Sequence, residues 1–232
     1  MERMAPTRSA PRFLIADDHA IFAEAFRGFL ELHYPVVGIV TDGRKLVEEA
    51  ARLKPDVLIV DIGMPLLNGL EAARRIHENF PGIKFVFLTM QDNPNLAAAA
   101  LQLGAVAFVL KDSGRAQVLE AIDHVLRGRS YVTPKLRSED WVEAKARARQ
   151  FSRELTPRQR DVLQLFAEGL SMKEIAAVLD LSEKTIEFHK SHIMESFGIR
   201  SNAGLVLFAL RHGLISMNPE SADISGLHRG VA

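Results

Sequence analysis

The sequence predicts two structural parts: an α/β doubly wound five-stranded parallel sheet, followed by a small all-α domain of four helices. Its 232 residues exceed the roughly 100 to 150 residues of a typical domain, which favours two domains. In the first half, short apolar runs alternate with amphipathic helical patterns, as they do in parallel sheets covered on both faces. In the second half, capping residues and glycines delimit four short helices.

Five apolar runs in the first half are predicted to be buried strands, because they are short, continuous and rich in β-branched residues. The segments between them place apolar residues three and four positions apart, which is typical of amphipathic helices. Right-handed crossovers between parallel strands then give a doubly wound sheet. The five runs are FLIA from Phe13, VVGIV from Val36, VLIV from Val57, FVFL from Phe85 and AFVL from Ala107.

Candidate functional side chains follow four of these five strands. A single aspartate at a strand end is more often a cap or turn residue than a functional group. Open α/β sheets, however, bind their ligands beyond the carboxyl ends of the strands, so polar residues at several strand ends are expected to converge. These residues are Asp17 and Asp18 after the first strand, Asp61 after the third, Thr89 after the fourth and Lys111 after the fifth.

The residue types at this edge suit phosphoryl chemistry supported by a hard cation. Clustered carboxylates without thiols or a clear histidine set favour Mg²⁺, which binds carboxylates, waters and phosphate oxygens. An aspartate can itself attack phosphorus and form an acyl phosphate. Asp61 is the best candidate, because it follows a central strand and leads into a Gly-Met-Pro turn. Thr89 is suited to bond a phosphoryl oxygen, and Lys111 is suited to pair with its charge.

The helices of the second half are predicted from their capping residues. Thr156 with Gln159, and Ser171 with Glu174, form capping boxes at the start of the first two helices. The last helix is expected over 202–212. A tight turn joins the second and third helices, which is the spacing of a helix-turn-helix motif.

Charge is unevenly distributed along the chain. Residues 13–126 hold 10 Lys and Arg against 15 Asp and Glu, a net charge of −5, whereas residues 127–153 hold 8 against 3, a net charge of +5. This favours two modules with different partners, joined by a basic connector. The predicted boundaries are a flexible N-terminus (1–12), an α/β domain (13–127), a basic linker (128–153), a helical domain (154–215) and a disordered tail (216–232).

The chain is expected to work in the cytoplasm, with no membrane partner. No apolar run approaches the ~18 residues of a membrane span, and the polar opening does not resemble a secretion signal. The absence of cysteine excludes disulfides and thiolate metal sites.

Residues 13–127 resemble a response-regulator receiver domain, which has a flavodoxin-like sheet. The resemblance rests on the motifs ADDH, VDIGMP, FLTM and GAVAFVLKD, in the order and spacing of that family. It implies that Asp61 accepts a phosphoryl group from a sensor histidine kinase, and that Thr89 and Phe108 form the conformational switch. Phe108 is equally suited to the protein core, and the sequence leaves this alternative open.

The same resemblance implies how a magnesium ion is bound. Asp18, Asp61 and the backbone carbonyl of Gly63 would bind Mg²⁺ directly, and Asp17 would act mainly through water. Haloacid-dehalogenase-like phosphatases also form an aspartyl phosphate after a parallel strand, but they need a second aspartate two positions later as general acid. Because Gly63 stands there, the sequence disfavours a turnover enzyme.

The segment LTPRQRDVLQLFAEGLSMKEIAAVLDLSEKTIEFHKSHIMESFGI resembles the LuxR-type helix-turn-helix that ends NarL/FixJ-type response regulators. The resemblance implies a transcription factor that binds double-stranded DNA with the third helix of this domain in the major groove. In that family the unmodified receiver often covers this recognition helix. Pairing of two copies through the last helix, around Val206 and Leu210, would give a homodimer on an inverted-repeat site.

Seven residues of the helical domain are candidate DNA contacts. Lysines and a threonine are suited to phosphates, which position a protein on DNA without reading its sequence. Three further residues fall where relatives of this family touch bases; a glutamate can accept from cytosine, and a phenylalanine can press on a thymine methyl group. The phosphate candidates are Lys173, Lys184, Thr185 and Lys190, and the base candidates are Glu187, Phe188 and Ser191.

One departure from the family leaves a second function open. Glu187 stands where relatives often carry a basic residue, and residues 154–215 hold 7 Lys and Arg against 8 Asp and Glu, a net charge of −1. Such a balance is unusual for a DNA-binding domain. The alternative is a receiver-controlled protein-interaction module that has lost DNA binding.

Overall fold

The computed structural model describes residues 10–104, 106–137, 141–146, 155–212 and 214–215. It confirms the predicted fold class, because a parallel sheet flanked by helices is followed by a helical domain. The sheet has six strands, so the predicted number of five was wrong by one.

Six parallel strands form the sheet: β1 (Phe13–Ala16), β2 (Val36–Val40), β3 (Val57–Val60), β4 (Lys84–Thr89), β5 (Val106–Leu110) and β6 (Tyr131–Val132). Their spatial order is β2-β1-β3-β4-β5-β6, so the chain changes direction across the sheet between β1 and β3. Doubly wound sheets hold their sites at such a switch point. β1, β3 and β5 are buried along their whole length, which explains their uninterrupted apolar sequences.

Five helices cover the sheet: α1 (Ala20–Leu30), α2 (Gly43–Leu53), α3 (Gly69–Asn79), α4 (Pro94–Ala100) and α5 (Arg115–Leu126). α2, α3 and α4 pack on one face and α1 and α5 on the other, so each face has its own apolar core. The side chains of Asp42, Asn68 and Asn93 cap α2, α3 and α4 by accepting backbone N–H hydrogen bonds.

The sixth strand lies inside the segment predicted to be a linker. Tyr131 pairs with Ala107 and Val132 with Phe108, and the Thr133 N–H donates to the Phe108 carbonyl at 3.0 Å. The helical segment 141–146 packs on the same domain, because Ala144 is buried in the core shared by α2, α3 and α4 and Trp141 packs against that core. The sequence did not reveal β6, because a two-residue strand is too short to show a hydrophobic period.

Four helices form the second domain: α6 (Pro157–Ala167), α7 (Met172–Leu179), α8 (Glu183–Ser196) and α9 (Asn202–Arg211). Both predicted capping boxes are present, at the starts of α6 and α7. Asp180 takes a left-handed φ of 54° between α7 and α8, which produces the tight turn of the helix-turn-helix. Ile186 and Ile193 anchor α8 in the domain core.

Several sequence predictions concern residues outside the described ranges. They include most of the N-terminal segment (1–9), part of the basic linker (138–140 and 147–153) and the tail (216–232). Within the described ranges, every helix is too short or too polar to cross a membrane.

Candidate functional site

Three carboxylates meet at the switch point of the sheet, as the strand ends predict. Asp17 follows β1 and Asp61 follows β3, and their exposed fractions are 3% and 5%. Asp17, Asp18, His19 and Asp61 each offer one ligand atom, and these four atoms lie within 4.8 Å of one another. His19 was not predicted as a member of this cluster, although it directly follows the acidic pair in the sequence.

Lys111 balances part of this negative charge. Its Nζ lies 2.6 Å from Asp61 Oδ2 and 2.7 Å from Asp17 Oδ2, and all three side chains are at most 6% exposed. Burial disfavours the ammonium form, but the two carboxylates outweigh it and raise the pKa of Lys111. Lys111 therefore remains a cation that bridges the ends of β1, β3 and β5.

Among the carboxylates of this site, Asp17 is the one whose pKa is clearly raised by burial. Burial raises its pKa, the Asp61 charge acts in the same direction, and the Lys111 ammonium and the His19 N–H oppose them. The His19 N–H donates to Asp17 Oδ1 at 2.9 Å, which fixes the carboxylate in place. Additional positive charge at this site would stabilise the ionised carboxylates.

The donor set at this site fits Mg²⁺. Two carboxylates from one strand end and a third from a neighbouring strand are the hard oxygen donors that this ion prefers. Oδ1 of Asp18 is buried and receives no well-aligned hydrogen bond within the described part of the chain, although His19 Nδ1 lies 2.9 Å away. It therefore keeps a lone pair for a cation. The Gly63 N–H donates to Asp61 Oδ1 at 3.3 Å, which places the Gly63 backbone beside the Asp61 carboxylate.

Thr89 and Phe108, the predicted switch residues, lie on neighbouring strands. Thr89 ends β4 at 1% exposure, and its Oγ1 accepts a hydrogen bond from the Gln91 N–H at 3.2 Å. The Phe108 side chain is fully buried on β5, with its ring centroid 6.4 Å from that of Phe87. Phe108 thus belongs to the core in this conformation, as the sequence allowed.

The loop after Asp61 is packed tightly against the sheet. The Gly69 N–H donates to the Ile62 carbonyl at 3.0 Å, which closes the loop on itself. A Cβ on Gly69 would lie 1.9 Å from the Asp61 carbonyl oxygen, so no other residue fits without a shift. Leu66 adopts a left-handed φ of 66° in the same loop. Sequence reasoning missed Gly69, whose only signal is the Asn-Gly pair that starts α3.

Five of the seven candidate DNA contacts are exposed on α7 and α8. Phe188 is 64% exposed, and Glu187 and Ser191 are exposed beside it on α8. Lys173 and Lys184 are also exposed, at the starts of α7 and α8. The remaining two candidates are half-buried: they are Thr185, which bonds the Ser182 hydroxyl, and Lys190, whose Nζ lies 4.5 Å from the centre of the Phe166 ring.

Within the described ranges, the receiver-like domain contacts α6 and α7, and Glu187, Phe188 and Ser191 on the recognition helix α8 remain exposed. Gln164 on α6 accepts the Asn68 N–H at 2.9 Å, and Arg44 on α2 donates to the Val178 carbonyl at 3.2 Å. The expectation that the receiver covers the recognition helix is therefore wrong for this conformation. The sequence could not reveal this, because the polar residues of α6 that face the receiver look like those of a solvated helix face.

Comparisons with known proteins agree with this architecture. The family model described as the response regulator receiver domain matches residues 13–123, and the model described as bacterial regulatory proteins of the luxR family matches residues 153–209. The oxygen regulatory protein NreC of Staphylococcus carnosus is 34% identical over 214 residues, which cover 88% of this chain and 99% of that protein.

Solved structures are similar to this chain over most of its length. One is RcsB of Salmonella enterica serovar Typhimurium, bound to promoter P1flhDC in the presence of the phosphomimetic BeF3-. It is similar to this chain with a TM-score of 0.61 and 29% sequence identity, and the match covers 87% of this chain and 99% of that chain. A structure of two RcsB dimers bound to two parallel DNAs is similar with a TM-score of 0.52 and 30% identity, covering 88% of this chain and 99% of that chain.

A receiver domain joined to a LuxR-type DNA-binding domain defines a transcription regulator. The chain belongs to the two-component response regulators of the NarL/FixJ type.

Proposed function

We infer that Asp61 accepts a phosphoryl group from a sensor histidine kinase and thereby controls DNA binding by the helical domain. The observation that carries this function is the position of Asp61. It is buried at the switch point of the sheet, with Lys111 Nζ 2.6 Å away and Asp17 and Asp18 beside it. A buried carboxylate with one oxygen held by a cation is oriented for attack on phosphorus.

Each neighbouring side chain has a role in this transfer. Asp18, Asp61 and the Gly63 carbonyl would hold Mg²⁺ directly, with Asp17 acting through water, and the ion would neutralise charge on the phosphoryl oxygens. Lys111 pairs with the negative charge gained at Asp61. The Thr89 hydroxyl would donate to a phosphoryl oxygen, and Phe108 on the neighbouring strand would respond to the movement of Thr89. These roles describe a regulator that is itself phosphorylated, whereas an enzyme would turn over a substrate.

The output is proposed to be sequence-specific DNA binding by a homodimer in the cytoplasm. Phe188, Glu187 and Ser191 would face base edges, with the lysines of α7 and α8 on the flanking phosphates. Leu207 is 51% exposed on α9 and provides an apolar contact for a second copy beside Val206 and Leu210. The RcsB dimers bound to DNA support this arrangement.

Selection of bound sequences from random DNA, with and without beryllium fluoride and Mg²⁺, tests the whole proposal. We expect enrichment of an inverted repeat, with stronger enrichment when the phosphoryl analogue is present. The alternative function, a protein-interaction module, is favoured by the net charge of −1 over residues 154–215 and by the exposed Glu187. Failure to enrich any sequence under either condition would support that alternative.

Removal of one carboxylate should remove stabilisation by Mg²⁺. At a Mg²⁺ concentration ten times its dissociation constant, the wild type should gain about 1.4 kcal/mol of unfolding free energy. Asp18→Ala should lose most of this gain, because it removes a proposed direct ligand. Asp123→Ala is the control, since Asp123 is on α5 and pairs with Arg127 at the surface. Equal Mg²⁺-induced shifts of the thermal midpoint in Asp18→Ala and the wild type would contradict the assignment.

Reversal of the charge on the recognition helix should alter DNA binding. Glu187→Lys removes a repulsion and adds a possible phosphate contact, so the slope of log affinity against log salt should steepen by about one unit. If Glu187 contacts cytosine, the preference at one base pair per half-site should also change by ~1–3 kcal/mol. Glu24→Lys on α1 is the matched charge control. An unchanged salt slope and site preference would mean that Glu187 does not face DNA.

A further inference from the structure

Three phenylalanines form a row along α1: Phe22, Phe26 and Phe29. They are spaced four and three positions apart, so they share one side of the helix. Phe26, in the middle, is 8% exposed and packs in the core that α1 and α5 share with the sheet. The Phe22 ring stacks on the Phe26 ring, with the centroids 5.9 Å apart and the planes 11° apart. The packing of α1 therefore sets the position of the half-buried Phe22 ring.

The ring of Phe22 lies next to Lys111, the cation of the candidate site. Lys111 Nζ is 4.6 Å from the centre of that ring, which is within the range of a cation–π contact. An ammonium has three N–H groups, and the carboxylates of Asp17 and Asp61, at 2.7 and 2.6 Å, take two of them. The negative face of the ring is available to the third. Phe22 thus completes the surroundings of the ammonium.

Little water surrounds this contact. The Lys111 side chain is 5% exposed, and the cleft of about 180 Å³ beside it is lined mainly by apolar side chains, among them Phe22, Phe26 and Leu88. An ammonium beside apolar groups gains more from an aromatic ring than an ammonium in bulk water does. The contact with Phe22 is therefore expected to contribute to the position of Lys111.

The other end of the row faces a different cation. Arg115 Cζ lies 5.5 Å from the centre of the Phe29 ring, and Arg115 is exposed at the start of α5. Arg115 is not among the side chains that meet at Asp61. Phe29 therefore resembles Phe22 in its ring, its helix and its partial burial, but it contacts a cation outside the candidate site.

We propose that Phe22 is a positioning residue for phosphorylation, because its ring holds the Lys111 ammonium beside the acceptor. The inference rests on the proposed function of Asp61. In the transfer, an Asp61 carboxylate oxygen forms a bond to phosphorus, and the bond from phosphorus to the donor's leaving group breaks, with its electron pair going to the leaving group. Lys111 then exchanges an Asp61 oxygen for the new phosphoryl oxygens. The ring keeps the ammonium in reach during this exchange, so a flexible side chain need not be ordered again.

The first test is a calorimetric titration of the full-length protein with beryllium fluoride in the presence of Mg²⁺. No kinase is present, so contacts between α1 and a kinase do not enter the result. Phe22→Leu keeps an apolar side chain and removes the ring, and it should bind about fivefold more weakly than the wild type, which is the scale of a cation–π contact away from bulk water.

Two further variants separate the ring from the packing of α1. Phe22→Tyr keeps the ring, and its hydroxyl can reach solvent because Phe22 is half-buried, so it should bind as the wild type does. Phe29→Leu is the matched control, since it removes a ring of the same row that faces Arg115, and it should also bind as the wild type does. A thermal unfolding scan of each variant checks that it is folded.

Nuclear magnetic resonance of lysine-labelled protein provides a measurement that packing alone would not move. An aromatic ring shields protons that lie over its face, so the Lys111 methylene protons next to Nζ should appear at an unusually low chemical shift. This shift should be present in the wild type and in Phe22→Tyr, and it should persist when beryllium fluoride is bound. It should be absent from Phe22→Leu.

Three results would overturn the inference and leave the proposed function intact, provided that the wild type binds beryllium fluoride. The first is equal binding by Phe22→Leu and the wild type. The second is equally weakened binding by Phe22→Leu and either Phe22→Tyr or Phe29→Leu, which would indicate a general disturbance of α1. The third is an ordinary Lys111 chemical shift in the wild type, a result that depends on no variant. If the wild type itself fails to bind beryllium fluoride, both the proposed function and this inference are overturned.

Discussion

Asp61→Asn is expected to reduce labelling by a small acyl-phosphate donor to background. The amide is a poor nucleophile, and it is also a weaker ligand for Mg²⁺ than a carboxylate is. Lys111, 2.6 Å from Asp61 Oδ2, would in addition lose one of its two anionic partners. Intact-mass spectrometry after incubation with the donor and Mg²⁺ measures the effect directly, because each phosphoryl group adds a fixed mass.

Two comparisons make this prediction specific. Asp123→Asn changes a half-buried aspartate on α5 that pairs with Arg127, and it should be labelled as fully as the wild type. A thermal unfolding scan of Asp61→Asn should show a folded protein, since the substitution preserves the size of a buried side chain. Full labelling of Asp61→Asn would mean that another residue accepts the phosphoryl group, and peptide mapping would identify that residue.

The candidate site can be predicted largely from the sequence because parallel strands impose its geometry. Continuous apolar runs identify the strands, and the carboxyl ends of such strands share one edge of the sheet. Asp17, Asp61 and Lys111 could therefore be expected to meet before any coordinates were known. The capping boxes of α6 and α7 could likewise be predicted, because each depends on residues only three positions apart.

Features that depend on contacts between distant segments could not be predicted in this way. The strand β6 has two residues and is defined by its pairing with Ala107 and Phe108, which no local pattern encodes. The docking of α6 depends on Gln164 meeting Asn68, 96 positions earlier in the chain. Polar residues on a helix normally indicate a solvated face, and here the same residues are buried by the other domain.

Gly69→Ala is expected to be the most destabilising small substitution at the end of the loop that follows Asp61. The added Cβ would lie 1.9 Å from the Asp61 carbonyl oxygen and 2.6 Å from Val60 Cγ1, so the end of β3 or the start of α3 has to move. Overpacking of a core typically costs ~1–3 kcal/mol and occasionally more. The atom that the new Cβ would meet is the backbone carbonyl oxygen of Asp61, which cannot rotate away as a side chain can. We therefore expect the free energy of unfolding to fall by about 3 kcal/mol or more.

Calorimetry of the matched pair Gly69→Ala and Gly28→Ala measures how far the close approach of Gly69 to the Asp61 carbonyl constrains the fold at this site. A loss of about 3 kcal/mol corresponds to a drop of roughly 6–12 °C in the thermal midpoint for a protein of this size. Gly28 lies inside α1, and a Cβ added there would have no heavy atom within 4 Å apart from its own neighbours. Gly28→Ala should therefore raise the free energy of unfolding by up to ~1 kcal/mol through helix propensity. Gly69→Ala should also lose beryllium fluoride binding, since a displaced Asp61 carbonyl moves the acceptor itself. An unchanged midpoint in Gly69→Ala would mean that α3 can shift freely against β3, so that the close approach of Gly69 to the Asp61 carbonyl does not constrain the position of Asp61.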